Sequence, residues 1–342
     1  KRENFDLSGG LTDNLTMRLY GNWSKTQADG QNINDGHSAE RTGKYAGMVP
    51  AGREGGVNKN INGVLRWEFA PMQALELDAG YSRQGNLYAG DTQNTNNTTL
   101  TKAYYGKETN IIYRQTLALK YTGARDNGVT TNNYIQFEKT RNTRLKEGLS
   151  GGVEGLFSSI DEGFATINLN DTNLHSDINI PISGRVQQNL TFGAEFNHQT
   201  MKDPTSNTLA ATSDIDGVSG SYRSEYSSAN IWGIYTEDNI DLTDSTRLTP
   251  GIRLNHQSYT GSNVSPSLNL SQDLGGDFTL KMGIARAWKA PNLYQTNPNY
   301  LLYSSGNGCY DTGSSCYLQG NKNLKAETSI NKEIGIEYHH EG

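Results

Sequence analysis

Apolar residues recur at every second position of the chain, in runs of about 8 to 12 residues, which is the period of a strand with one greasy and one hydrophilic face. Leu75, Leu77, Ala79 and Tyr81 alternate with Glu76, Asp78, Gly80 and Ser82, and Leu190, Phe192, Ala194 and Phe196 with Thr191, Gly193, Glu195 and Asn197. Phe278, Leu280, Met282 and Ile284 repeat the pattern. So do Ile330, Ile334, Ile336 and Tyr338, with Lys332 in the same file. About 13 strands follow from this reading.

The connections alternate between short and long. Short turns are expected near 9–13, 70–73, 123–128, 181–187, 243–245 and 272–277. Long polar segments are expected at 25–60, 84–110, 142–163, 200–227 and 288–329, with a shorter one near 258–263. A soluble β-sandwich also alternates, but its apolar faces pack on each other and its loops seldom sort into a quiet end and an elaborate end. A transmembrane barrel does both, with apolar residues outward and polar residues toward the lumen. The pattern therefore predicts an all-β fold, an antiparallel transmembrane β-barrel, with a soluble sandwich or solenoid as the alternative.

Composition sharpens this choice. The 342 residues are 34% hydrophobic and 19% charged, with a mean hydropathy of −0.70. That is too polar for the buried cores of about two soluble domains, whereas 9% aromatic residues and 19 Tyr argue against disorder. A greasy face dissolved in lipid needs no large internal core. No stretch approaches the roughly 20 apolar residues of a spanning helix. Trp67 and Phe69 beside Pro71, together with Tyr81 and Tyr121, are candidates for interfacial aromatic girdles. The net charge of −6 gives no basic footprint, so nucleic acid is excluded as a partner. The chain opens without an initiator Met or an apolar leader, and an odd strand count ending near Gly342 does not close a barrel. A piece of a longer protein is expected.

Residues 80–94, reading GYSRQGNLYAGDTQN, closely resemble a stretch of the ferric enterobactin receptors, TonB-dependent outer-membrane transporters for catecholate siderophores. Further matches are VPAGREG at 49–55, DFTLKMGIARAWKA at 277–290, YQTNPNY at 294–300 and LQGNKNLKAETSINKEIGI at 318–336. The resemblance implies a 22-stranded barrel with a plugged lumen, in the outer membrane of a Gram-negative bacterium. It implies that 1–342 is a partial barrel domain, with the plug and its TonB-engaging box before residue 1 and further strands after residue 342. The implied function is TonB-dependent import of ferric catecholate siderophore. No cofactor is bound directly, since the iron travels in the siderophore. The implied partners are the siderophore, TonB, and outer-membrane lipid and lipopolysaccharide, with phage and bacteriocins as added visitors. A passive porin and an adhesion barrel are the rival readings.

A ferric catecholate complex is anionic and aromatic-faced, so its receptor should offer Arg and Lys for charge, rings for stacking and donors for amide oxygens. Lys139, Arg141, Arg144 and Lys146 fall within eight residues where a strand runs into a glycine-rich segment containing Gly151 and Gly152. Arg144 matches a loop arginine of the family, and outer-leaflet lipid phosphate is the competing partner for the cluster. Tyr88, Lys102 and Tyr105 lie in another long segment, Arg223 in a third, and Tyr303, Asn307 and Gln319 in the last. Ile111 and Ser305 stand where some relatives carry basic residues, so the ligand contacts are not expected to be identical.

Cys309 and Cys316, the only cysteines, enclose six residues and are expected to form a disulfide in an oxidising envelope. No metal site is expected, since the six histidines show no ligand spacing. No nucleophile motif of the G-x-S-x-G type accompanies the Ser, His and Asp residues, so an enzyme is not expected.

Overall fold

The structure, a computed structural model, describes residues 1–28, 52–90, 98–146, 163–204, 224–304, 309 and 316–340. Its first eight strands are β1 (Arg2–Thr12), β2 (Leu15–Thr26), β3 (Gly55–Ala70), β4 (Gln73–Leu87), β5 (Asn110–Ala124), β6 (Thr130–Leu145), β7 (Phe164–Ile182) and β8 (Gln187–Lys202). They are followed by β9 (Tyr226–Thr243), β10 (Thr246–Gln257), β11 (Gly261–Gly275), β12 (Phe278–Lys289), β13 (Leu301–Ser304), β14 (Cys316–Gln319) and β15 (Glu327–Tyr338). Two short helices, α1 (Thr98–Tyr104) and α2 (Leu293–Thr296), sit in the long segments.

Thirteen strands form one antiparallel meander in the order β1 to β12 and then β15, as the alternation predicts. Each is hydrogen-bonded to its neighbours in that order, and β13 and β14 make a separate hairpin within the β12–β15 connection. All six short turns fall at one end. At Gly275–Gly276–Asp277 three successive residues have φ of 75°, 61° and 68°, a left-handed run that the two glycines enter without a Cβ clash.

The strands run longer than their apolar stretches, up to 19 residues in β7. β3 begins at Gly55 and β6 continues to Leu145, inside segments that alternation alone reads as loop. The physical reason is that lipid contact ends where the apolar residues end, whereas backbone pairing continues into the aqueous region beyond. The helices and the β13–β14 hairpin likewise occupy segments expected to be irregular.

Register keeps the apolar residues in continuous rows. Met17, Leu65, Leu77, Leu119, Ile135, Leu174, Phe196 and Trp232 follow one another across β2 to β9 as directly paired neighbours. A slip by one residue would turn every one of them to the opposite face. Much of this row remains open to the surroundings, Leu119 at 46% and Trp232 at 43% exposure. Beside the turn at Pro71, the Trp67 and Phe69 rings lie 5.6 Å apart and the Phe69 and Tyr121 rings 6.3 Å apart, forming the aromatic edge expected of a girdle.

The opposite face is polar and ion-paired. Glu76 receives Arg66 at 3.6 Å and Lys120 at 3.2 Å, and Arg114 meets Glu138 at 3.2 Å. His175 lies between Asp177 at 2.7 Å and Glu195 at 3.3 Å, and Arg253 also pairs with Glu195. A lumenal wall has this character, because water or protein must meet it. Most larger buried apolar side chains among the described residues sit where the long segments fold back on the strand ends.

Candidate functional site

The end of the sheet away from the short turns carries the candidate chemistry. Beyond β4 the backbone of Tyr88 bonds to the segment after α1, its N–H to the Lys107 carbonyl at 2.9 Å and its carbonyl to the Gly106 N–H at 2.8 Å. Tyr88, 6% exposed, joins Tyr104 and Leu145 in a buried cluster that seats α1 against the end of β6. Its ring is thus part of the packing that shapes the loop. Lys102, in the last turn of α1, is exposed, and Tyr105 is half-buried.

Strand alternation divides the basic run of β6. Lys139 and Arg141 share the face of Ile135 and Phe137, whereas Arg144 shares the polar face of Glu138, Thr140 and Asn142. Lys146 follows the strand end, exposed, with its N–H on the Gly163 carbonyl at 3.0 Å. The four cations do not form one cluster. Arg141 stacks over the Tyr113 ring at 4.4 Å, with Arg83 5.7 Å from the same ring. Arg83 makes a two-pronged ion pair with Glu108, 2.7 and 2.6 Å. That guanidinium holds the Glu108 carboxyl below the usual range against the opposing effect of burial, and Lys59 and Lys25 add to the shift.

Arg144 acts on a different group. Asp203, fully buried just past β8, accepts a hydrogen bond from the Tyr294 hydroxyl of α2 at 2.7 Å, and its N–H bonds to the Glu225 carbonyl at 2.8 Å. Burial first, then the charge and hydrogen bond of Asp203, push the Tyr294 phenol well above its ordinary value, while the Arg144 charge pulls it down. Leu293 beside it packs with Met201 and Ala229, and the Tyr294 ring lies 4.5 Å from that of Tyr300. The β12–β15 connection is thereby fastened to the ends of β8 and β9. Asn292 caps α2 reciprocally with Gln295, both bonds at 2.9 Å.

Gln319 closes the base of this connection, its side chain donating to the Pro298 carbonyl at 2.9 Å. Gly320 follows, and a Cβ there would lie 2.0 Å from the Asn297 carbonyl oxygen, so the return path of the loop requires glycine. Cys309 and Cys316 are bonded, with Cα atoms 5.7 Å apart. Tyr303 pairs with Tyr317 across β13 and β14. The Tyr303 side chain, Gly151, Gly152, Arg223 and Asn307 lie outside the described residues.

The disulfide closes a small ring outside the thirteen-stranded sheet, so replacing both cysteines by serine is expected to leave that sheet folded while loosening the loop by roughly 2 kcal/mol. Faster proteolysis between residues 289 and 327, at an unchanged heat-modifiable barrel band, is the expected result.

Alternation could not reveal Asp203, Tyr294 or Glu108, because each acts through a partner distant in sequence. Lys59 and Arg83 did carry a signal, as charges standing in file with apolar residues. Among the described residues, hollows of about 490 and 450 Å³ lie chiefly on the apolar face, beside Phe192, Ile234 and Leu254 and beside Leu119, Ile135 and Phe196. They are lipid-facing troughs between outward side chains. No group of three or more His, Cys, Asp or Glu suited to a metal ion occurs among the described residues.

Residues 6–342 match the family described as TonB dependent receptor-like, beta-barrel. The chain is 60% identical over 348 residues to the ferrienterobactin receptor of Escherichia coli K12, covering 100% of this chain and 47% of that protein. A ferric enterobactin receptor variant from Pseudomonas aeruginosa, solved in complex with enterobactin, is 52% identical with a TM-score of 0.91 over 100% of this chain and 49% of that one. The siderophore receptor PirA from Acinetobacter baumannii is 41% identical with a TM-score of 0.87, covering 99% and 48%. The chain spans about half the length of the curated relatives it matches. The apolar face is accordingly the lipid face of an outer-membrane wall, and the chain belongs to the TonB-dependent receptor β-barrel family.

Proposed function

We propose that this chain is part of a receptor that imports a ferric catecholate siderophore of the enterobactin type across the outer membrane, coupled to TonB. The observation that carries this reading is the close likeness, over the whole chain, to a receptor solved with enterobactin bound. The local chemistry agrees with it. Arg144 stands on the polar face at the loop end, near the tyrosine pair Tyr294 and Tyr300, so a cation and aromatic rings meet where an anionic, ring-faced complex would arrive. Lys146, Lys102, Tyr105 and Gln319 supply further charge and donors at the same end. Tyr88 shapes the loop from within, and Arg141 faces outward, so neither belongs to the proposed contact set. Iron is cargo, enclosed by the siderophore's own phenolates, and the protein contributes no ligand to it.

The edges β1 and β15 each pair on one side only within the described sheet. Bare strand edges are costly in lipid, and we infer that further strands of the same receptor pair with them in a closed, plugged barrel. The test is binding and uptake of ferric enterobactin by intact cells whose outer membrane contains the whole protein. Saturable binding that a neutral ferric hydroxamate does not compete, with uptake lost when the inner membrane is de-energised, is expected. Non-saturable, energy-independent uptake would identify a diffusion pore instead.

A further inference from the structure

The root of the β12–β15 connection does not stand clear of the wall. Leu293 of α2 packs on Met201 of β8 and Ala229 of β9, with Ile167 and Leu169 of β7 alongside. Strand parity puts all four partners on the lumen-facing side. Ile167 and Leu169 stand in file with His175, Met201 with Glu195, and Ala229 with Gly233, the register neighbour of Glu195. The connection therefore leans inward over the mouth of the wall and is held there by strands three and more places back from β12.

One polar contact sits among these apolar ones. The fully buried carboxylate of Asp203 accepts the Tyr294 hydroxyl at 2.7 Å. A buried carboxylate that lost this donor would be left with an uncompensated desolvation cost, so the phenol is held in one geometry. The bond occupies the only donor of Tyr294, and what the half-buried residue has left to offer the mouth is its ring. That ring lies 4.5 Å from the ring of Tyr300. Tyr300 is fixed in turn through its backbone, its N–H on the Asn297 carbonyl at 3.0 Å and its carbonyl receiving the Gly320 N–H at 3.1 Å. The Arg144 charge acts on the same phenol, so cation, ring pair and buried carboxylate belong to one assembly.

We propose that Asp203 is a positioning residue for siderophore capture: by gripping the Tyr294 hydroxyl it sets the Tyr294 and Tyr300 rings beside Arg144, so that they meet a catecholate complex with their faces. The inference rests on the siderophore reading above and adds to it the group that orders the rings. Asp203, being fully buried, touches no ligand itself. Its effect is preorganisation, since rings fixed before the complex arrives need no ordering when it binds.

The test is concentration-dependent uptake of ferric enterobactin by intact cells carrying the whole receptor, with receptor number and the heat-modifiable band measured alongside. Tyr294→Phe keeps the ring and removes only the hydroxyl. It is expected to raise the half-saturating concentration about tenfold, the worth of one hydrogen bond to a charged group, at an unchanged maximal rate per receptor. Asp203→Ala is expected to do the same, and the double variant no more than either single one, because all three remove one bond. Tyr259→Phe deletes another loop-end hydroxyl, bonded to the Ser228 carbonyl at 2.9 Å, and is expected to change neither quantity. If Asp203→Ala does not assemble, Asp203→Asn takes its place; its amide oxygen still accepts the hydroxyl, and its half-saturation is expected to fall between the parent and Tyr294→Phe. A loss in Tyr294→Phe with none in either Asp203 variant would mean that the hydroxyl meets the ligand directly, and would overturn the positioning role. So would additive losses, an equal rise in Tyr259→Phe, or a lower maximal uptake at unchanged half-saturation, which is the mark of a merely structural contact. A parent receptor without saturable uptake would overturn the siderophore reading itself, and this inference with it.

Discussion

Phe192→Arg is expected to impair barrel assembly severely, and Thr191→Arg, one residue away, hardly at all. Phe192 is paired with Ile178 and Thr236 on the apolar face and is 46% exposed in the described sheet. An arginine there meets hydrocarbon, at a cost of roughly 2 to 4 kcal/mol near the midplane. Thr191 looks the other way. Its hydroxyl donates to the Asn179 side chain at 2.6 Å, and its register neighbour on β9 is Glu237. An arginine at that position loses one hydrogen bond, worth about 1 kcal/mol, and gains a carboxylate neighbour in a hydrated environment. The fraction of protein migrating as heat-modifiable barrel, and refolding into vesicles across a urea series, measure the difference. Equal losses from the two substitutions would mean that the two faces had been exchanged.

Arg144→Gln is expected to weaken ferric enterobactin binding tenfold or more with assembly intact, since a desolvated charge-assisted contact is worth roughly 1.5 to 3 kcal/mol. Arg141→Gln is expected to change siderophore affinity far less, because its side chain stacks on Tyr113 on the outward wall. The Arg144 substitution is expected to leave the bond between Tyr294 and Asp203 in place. The Arg144 charge lowers the phenol pKa of Tyr294, so its removal raises a value that burial and Asp203 already hold above the ordinary range. Tyr294 thus keeps its proton at neutral pH with or without Arg144, and its hydrogen bond to Asp203 persists. Equilibrium titration of ferric enterobactin against the parent and both variants separates these roles. A larger loss in Arg141→Gln than in Arg144→Gln would relocate capture to the outward wall.

Much of the wall was legible before the structure. Strict alternation needs only the two-residue period of a strand, so the strands, their faces and the sorting of short and long connections follow from the order of residues alone. The aromatic edge at Trp67 and Phe69 and the bond between Cys309 and Cys316 were accessible in the same local way. The strand ends were less legible, because the apolar signal stops at the lipid boundary and pairing does not, as β3 and β6 show.

The candidate site depended on tertiary structure for a related reason. Lys139, Arg141, Arg144 and Lys146 form one basic run in sequence, and alternation already implies two faces, yet only strand pairing extends through Arg144 and shows that the strand period still holds there. Which cations stand beside Arg141 is a matter of register, since Lys59 and Arg83 reach its row from strands far away in the chain. Asp203 and Tyr294, 91 positions apart, meet only when the β12–β15 connection folds over the ends of β8 and β9. The sequence by itself determined the wall and the solvent on each side of it, because those rest on the local period of the strand. Tertiary structure decided which charges share a face and which loop residues touch, because such proximity is set by register and chain reversal over long separations.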